Sequence, residues 1–576
     1  MTMLSTVEIT TVPKRAFLPD ELSIRKWADV EVYFDELLKR SVNDATELNT
    51  WLHNRSELEA VLEEDLGWRY IRMSCDTSNE SLANEYTFFI SEIQPQISQW
   101  SNLLDQKLIA SPSIDQLTDT RIHIMIRQIK KRIEIFREIN VPLIAEMQQM
   151  EQQFAAISGA MTVEVVGKEL TLQQAGNYLE QEDRAKREEV YRAICERRNR
   201  DRNKLDQLFN ELVAIRHQIA LNAGFDNFRD YMFASLGRFD YNADDCLRFH
   251  KAVEQEVVPL VAANEKKHQK SLGLEVLRPW DQMAEPTGSN PLRPFANAEE
   301  IMDRTIACFN QLDPFLGSCL QTMKEAGRVD LESRKGKAPG GYNYPLYESG
   351  MPFIFMNSTN TLRDLVTIVH EGGHAVQSIL DKPLDFVDFK SLPSEVAELA
   401  SMSMELMSME HWDHFFIDKI DLNRARKKHL EDVLKGLPWI AAVDAFQHWI
   451  YLHPQHTVAE RSQEWNNILD RFSGNVVNWE GLEDIKSSLW HRQLHIFEVP
   501  FYYIEYGFAQ LGAIAVWRNF KKEPKDALSK YLKALSLGYT DSIPNIYSTA
   551  GVSFEFSADY VRELCAFVRE EMELMK

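Results

Sequence analysis

Long apolar runs are missing from this 576-residue sequence. No stretch approaches the roughly 18 consecutive apolar residues of a membrane-spanning helix, so no span is expected. Cysteine is scarce. Cys75, Cys195, Cys246, Cys308, Cys319 and Cys565 are scattered without a C-x-x-C pair. In so long a chain this pattern reads as reduced thiols and excludes a disulfide framework. A basic excess is absent too. The formal net charge is −23, whereas a general nucleic-acid binder carries a basic surface, so no nucleic-acid partner is expected. The plain account of the acidity is solubility. The opening MTMLSTVEITTVPKRAFLP has no basic stretch followed by an apolar run, so it does not read as a secretory signal. The expected location is the cytoplasm. There is no short-period repeat or low-complexity tract, and oligomeric state leaves no mark.

What is there is a globular composition, 44% hydrophobic and 26% charged. Helical periodicity dominates, as in DVEVYFDELLKRSV, IHIMIRQIKKRIEIFREI and NKLDQLFNELVAIRHQIALNAGF, the last with a helix stop at Gly224. TVEVVGKELTL (162–172) breaks the pattern with two short alternating runs around VGK and predicts a hairpin. Residues 271–298 hold Pro279, Pro286, Pro291 and Pro294 and predict a long loop or a crossing between layers. Residues 334–357 interrupt the helices again, and PFIFM within them predicts a short buried strand. The expected architecture is mostly α, with a small β element beside one key helix. The division expected is an N-terminal helical region, 1–200, and a catalytic domain, 201–576.

That key helix is TLRDLVTIVHEGGHAVQSIL (361–380). Leu362, Leu365, Val366, Val369 and Val376 recur at helical spacing, Ser358 and Thr359 are candidate N-caps, and Asp364 belongs to the first turn. HEGGH within it fits H-E-x-x-H. His370 and His374 lie about 40° apart around a helix, so both imidazoles reach one Zn²⁺. Glu371 sits one step around, where it touches water without being a ligand. Gly372 and Gly373 each cost about 1 kcal/mol relative to Ala in a helix interior. Their use is to remove bulk where another backbone approaches.

A catalytic zinc site needs a third protein ligand and an open position. SLPSEVAELASMSMELMSMEHW (391–412) carries Glu395, Glu398 and Glu405 on roughly one face. Spacing alone admits any of the three. Met402, Met404, Met407 and Met409 read as core packing. Downstream, SSLWHRQLHIFEVPFYYIEYGFAQ (487–510) places His491 and His495 four apart among aromatics. Upstream, GKAPGGY (336–342) is a glycine-rich turn beside a lysine, without the order of a phosphate loop.

HEGGHA, the E-x6-E helix after it and the upstream GKAPGGY and PFIFMN together resemble the oligoendopeptidase F and thimet oligopeptidase family of zinc metallopeptidases, most closely the oligoendopeptidase F branch. The diagnostic likeness runs from about 330 to 510, with LGYTDSIPNIYSTAGVSF near the C-terminus also fitting. The resemblance implies a two-lobed helical zincin-type fold around a deep channel that admits short peptides. It implies one Zn²⁺ held by His370, His374 and Glu398, Glu371 as general base, and Glu405 orienting a histidine. It gives His495, Tyr503 and Tyr506 catalytic roles and places Tyr502, Gly340, Gly341 and Tyr342 in the substrate cleft. Ile504 stands where the branch often has another tyrosine, so which hydroxyl meets the oxyanion stays open.

Two other classes compete. A di-iron carboxylate protein would use Glu371-x-x-His374 with a second E-x-x-H, available at Glu265 and His268. That reading leaves His370 without a role. A non-catalytic peptide-binding protein would use the same cleft as a clamp, and then Glu371 has no task.

Overall fold

The computed structural model describes residues 6–286, 288–334 and 336–575. Helices dominate, and the described residues contain five short strands. Apolar helical stripes fold into two main cores. The larger gathers residues from most of the chain beyond 150, reaching back to Ile9. The smaller is built from residues 18–129 and is closed by Phe386 and Phe389, which reach across from the other part of the chain.

The hairpin expected at 162–172 is present as β1 (Thr162–Val165) and β2 (Lys168–Thr171), paired antiparallel. Val166 and Gly167 both take positive φ at its tip. The loop expected at 271–298 holds one short helical turn, Pro279–Asp281, among its described residues. PFIFM forms the strand expected of it: β3 (Val329–Glu332), β4 (Tyr342–Tyr344) and β5 (Phe353–Ser358) make one sheet in the order β3-β5-β4. β5 runs parallel to β3 and antiparallel to β4, which leaves β4 at an edge.

Six helices carry the argument that follows: α1 (Ala45–Cys75), α2 (Ala243–Glu256), α3 (Leu362–Asp381), α4 (Ser394–Ser408), α5 (Lys419–Leu452) and α6 (Tyr503–Lys522). β5 leads directly into α3. Its cap is Thr361, in place of the expected Ser358 or Thr359. The Asp364 N–H donates to Thr361 Oγ1 at 3.3 Å and the Thr361 N–H donates to Asp364 Oδ2 at 2.8 Å. Ser358 is spent as the last residue of the strand, so the reciprocal cap moves three residues on.

α3 and α4 pack face to face. A Cβ at Gly373 would stand 2.7 Å from the Ser401 Cα and 2.9 Å from the Ala400 carbonyl oxygen. One at Gly372 would stand 2.8 Å from the Phe309 ring. Both glycines are therefore there for close approach, Gly373 to backbone and Gly372 to an aromatic ring. Met402, Met404, Met407 and Met409 are buried in the large core, as their apolar setting suggests.

Candidate active site

The close approach at Gly373 lays α4 across the face of α3 that carries the histidines. His370, His374 and Glu398 each offer one donor atom, and these atoms lie within 4.8 Å of one another. Glu398 Oε2 is 3.3 Å from His370 Nε2 and 3.7 Å from His374 Nε2. The two imidazoles stand nearly perpendicular, at 84°. Their side chains keep 18% and 17% of their surface open, whereas Glu398 keeps 2%. The donor set therefore has a buried floor and an exposed side.

Two of the three donors, His370 and Glu398, are held from behind. His370 Nδ1–H donates to Glu405 Oε1 at 2.6 Å, which turns Nε2 toward Glu398 and His374. The other Glu405 oxygen lies 3.5 Å from Nε2 of buried His429. Glu398 Oε1 accepts from the Tyr502 hydroxyl at 2.7 Å, and Oε2 accepts from Ser401 Oγ at 3.0 Å. Burial alone would raise the Glu398 carboxyl, but His374, His370 and Tyr502 outweigh it and hold it down at about 2. Burial likewise lowers His370, yet the hydrogen-bonded Glu398 and Glu405 carry it well above its ordinary range. In His374 burial wins, pushing the ring down to about 4 against the pull of Glu398.

Glu371 sits beside this set, 6% exposed. Burial pushes its carboxyl up to about 7, opposed by His370 and helped by Glu398 and Glu405. The backbone N–H of Asn343, on edge strand β4, donates to it. Glu395, admitted by spacing, faces elsewhere: Arg238 and Tyr241 lie against its buried carboxyl. The three-residue step separating Glu395 from Glu398 is enough to turn the first away from the metal donors.

The aromatic stretch closes the far side. The His495 Nε2 lies 3.3 Å from the Tyr506 hydroxyl. Gln493 Nε2 donates to His495 Nδ1 at 2.8 Å, while Gln493 Oε1 accepts from the Trp439 indole at 3.0 Å. These contacts place the imidazole proton on Nε2, facing the tyrosines. Burial holds the His495 ring down at about 4, so it is neutral. Tyr506 is under the charges of Glu398 and Glu371, and Tyr502 is bonded to Glu398. Tyr503 turns toward Trp439, Gln493 and Arg492. Ile504 is fully buried in the core.

Other sequence candidates fall outside this centre. His491 Nε2 pairs with Asp206 at 3.1 Å. His268 bonds the Asp281 carbonyl at 2.9 Å, and neither it nor Glu265 approaches the metal donors among the described residues. Tyr342, given to the cleft by the resemblance, also packs inward. Its ring stacks on Phe355 at 4.7 Å and its hydroxyl is 2.5 Å from Ser74 Oγ on α1. Lys337 of the same loop is turned inward onto the carbonyls of Asp330, Glu332 and Met356. Gly340 takes φ +100°, and a Cβ at Gly341 would meet the Phe355 carbonyl oxygen at 3.3 Å. The loop is thus a tight turn that seats β4.

Sequence reasoning missed His429, Gln493, Ser401 and Asn343. His429 lies in ARKKHLEDV, which reads as a polar helix face, and no spacing ties it to Glu405. Also unforeseen is a cavity of about 270 Å³ beside His374 and Tyr502, lined further by Asn343, Gln377, Asp381 and Lys390.

A helix-borne H-E-x-x-H joined by a carboxylate from the neighbouring helix is the donor set of a single-metal hydrolase. Comparison with known proteins makes the class specific. The model of Peptidase family M3 matches residues 177–565, and that of the Peptidase M3 N-terminal domain matches residues 19–136. The chain belongs to peptidase family M3, and it is a metalloendopeptidase. An oligoendopeptidase F homolog of Borreliella burgdorferi is 23% identical over 539 residues, covering 89% of this chain and 86% of its own. The oligopeptidase PepF of Bacillus subtilis is 25% identical over 293 residues, 48% of this chain and 41% of its own. PZ peptidase A, solved with an inhibitor, superimposes with a TM-score of 0.91 and 27% identity, covering 95% of this chain and 97% of its own.

Proposed function

We propose that this metallopeptidase is a zinc-dependent oligoendopeptidase that hydrolyses short peptides, with Glu371 as its general base. The observation that carries the reading is the convergence of His370, His374 and Glu398 with the buried Glu371 carboxyl beside them. Two imidazoles and one carboxylate suit Zn²⁺ and leave room for a water. The Glu405 contact orients His370 and the Tyr502 contact orients Glu398, so the residues fit the ion. When bound there, zinc supplies positive charge that polarises the scissile carbonyl and acidifies water.

The protein groups do the rest. Glu371 takes a proton from the attacking water and delivers it to the leaving amine. The Asn343 N–H keeps its carboxyl aimed at the cleft. Tyr506 and the neutral His495, with its proton on Nε2, donate to the carbonyl oxygen as it becomes negative. Tyr502 fixes Glu398, and Tyr503 anchors the turn of helix that presents Tyr506. The cavity beside His374 receives a substrate side chain, and edge strand β4 offers its backbone to an extended peptide. The division into an N-terminal region, 1–200, and a catalytic part, 201–576, belongs to the same reading.

The test is cleavage of a quenched-fluorescence peptide of about ten residues, before and after chelation and again with zinc restored. Loss on chelation with recovery on zinc supports the assignment. No cleavage across a mixed peptide library, with zinc bound, rejects it.

A further inference from the structure

A second group of metal-binding side chains lies away from the cleft. Cys246 and His250 stand four apart on α2, and Asp444 and His448 stand four apart on α5. The two helices pack so that donor atoms of Cys246, Asp444 and His448 lie within 4.8 Å of one another. His250 Nε2 is 2.8 Å from Asp444 Oδ2. His448 Nε2 is 3.2 Å from the same oxygen, but it is not aligned for a hydrogen bond. The group is sealed: Cys246 and Asp444 are 0% exposed, His250 1% and His448 5%. Asp444 Oδ1 and both ring nitrogens of His448 have no hydrogen-bond partner.

Orphaned polar atoms at this depth are uncommon, because buried donors and acceptors are normally satisfied. The surroundings offer little else. The rings of Phe233 and Phe501 stand edge-on to His448, and Phe472 to His250. The charges that reach the group are Arg238, Asp245 and Glu395 at Cys246, and Arg471 at His250. A divalent cation would satisfy Asp444 Oδ1 and one ring nitrogen of His448 together. A thiolate and a carboxylate neutralise its two charges, and two imidazoles add none, so the filled site is neutral within its apolar shell.

We propose that Cys246, Asp444 and His448, completed by His250, form a second and structural metal site of this chain, of the class that binds Zn²⁺. Thiolate, imidazole and carboxylate donors select zinc among the common divalent ions, and four protein donors with no open side make a structural centre. Binding releases the Cys246 thiol proton to solvent, and a sulfur lone pair makes the bond to the metal. The site pins α2 to α5 beneath the Phe501–Tyr502 turn, since the Phe501 ring packs on His448 at 5.4 Å.

The test counts metal on the full chain, expressed in zinc-supplemented medium and stripped of loosely held ions. Wild type should carry two zinc ions per chain, the His370→Ala/His374→Ala variant one, and that variant with Cys246→Ser none. Expression in cobalt medium separates the centres, because the cleft donors include no sulfur. A thiolate-to-cobalt charge-transfer band should persist in His370→Ala/His374→Ala. A variant with no bound metal and no such band overturns the proposal. Both readings leave Cys246 intact, so they stand even where Cys246→Ser fails to fold. His448→Gln, with its helical circular dichroism retained, should also lose the band.

Discussion

The cleft centre and the sealed cluster are built alike and surrounded differently. Each takes residues four apart from one helix and adds donors from a second helix. The cleft histidines keep 18% and 17% of their side-chain surface. In the cluster the corresponding exposures are 2% for His250, 6% for His448 and 0% for Asp444. The cleft also has a spare carboxyl, Glu371, with a free task, whereas the two carboxyls nearest the cluster are held by other partners, Asp245 by the Asn242 N–H and Glu395 by Arg238 and Tyr241. Under the two proposals made above, the difference separates a reactive metal site from a holding one: an open coordination position and a base beside it, not the donor set alone.

Removing the base is the sharpest way to break that contrast. Glu371→Gln should lower kcat by about 10²–10⁴-fold while zinc content stays unchanged, read by peptide turnover beside metal analysis. Tyr506→Phe should cost about 10²–10³-fold in kcat if its hydroxyl meets the oxyanion, whereas Tyr503→Phe should cost far less. Glu405→Gln should weaken zinc binding by about 10–100-fold in a chelator competition, because His370 loses the carboxylate that sets its tautomer. Exchange kinetics sharpen the comparison further. A chelator should abolish activity while the thiolate-to-cobalt band survives until the protein unfolds. The smallest effect is on stability: Gly373→Ala should cost about 1–3 kcal/mol in denaturant unfolding, because its Cβ meets backbone on α4.

These expectations follow how much each region revealed in one dimension. HEGGH was legible because both histidines and the base lie on one helix, where spacing alone fixes direction. Glu395, Glu398 and Glu405 were not separable by spacing, because the choice is made by how α4 crosses α3 at Gly373. The N-cap was misplaced because β5 runs through Ser358, and strand length is set by pairing with β3 and β4. Tyr342 read as a cleft residue on its motif. The hydroxyl's partner, Ser74, lies 268 residues away and no local pattern announces it. The cluster of Cys246 and Asp444 was invisible for the same reason, since each half is an ordinary pair on an ordinary helix. Mostly helical character, the hairpin and the PFIFM strand were readable because periodicity and turn residues are local.

Phe501 ties these regions together in time as well as space. It takes φ +67° without being glycine, a backbone that bulky residues adopt only under constraint. Its N–H is held by Gln447 Oε1 at 2.7 Å on α5, and its carbonyl accepts from Arg238. The metal donors of α3 and α4 come from neighbouring stretches of chain, but the tyrosine rim depends on partners made much earlier in synthesis. Glu398 belongs to that late set as well, since the Tyr502 hydroxyl holds it at 2.7 Å. The donor set is therefore complete only once residue 502 has been made.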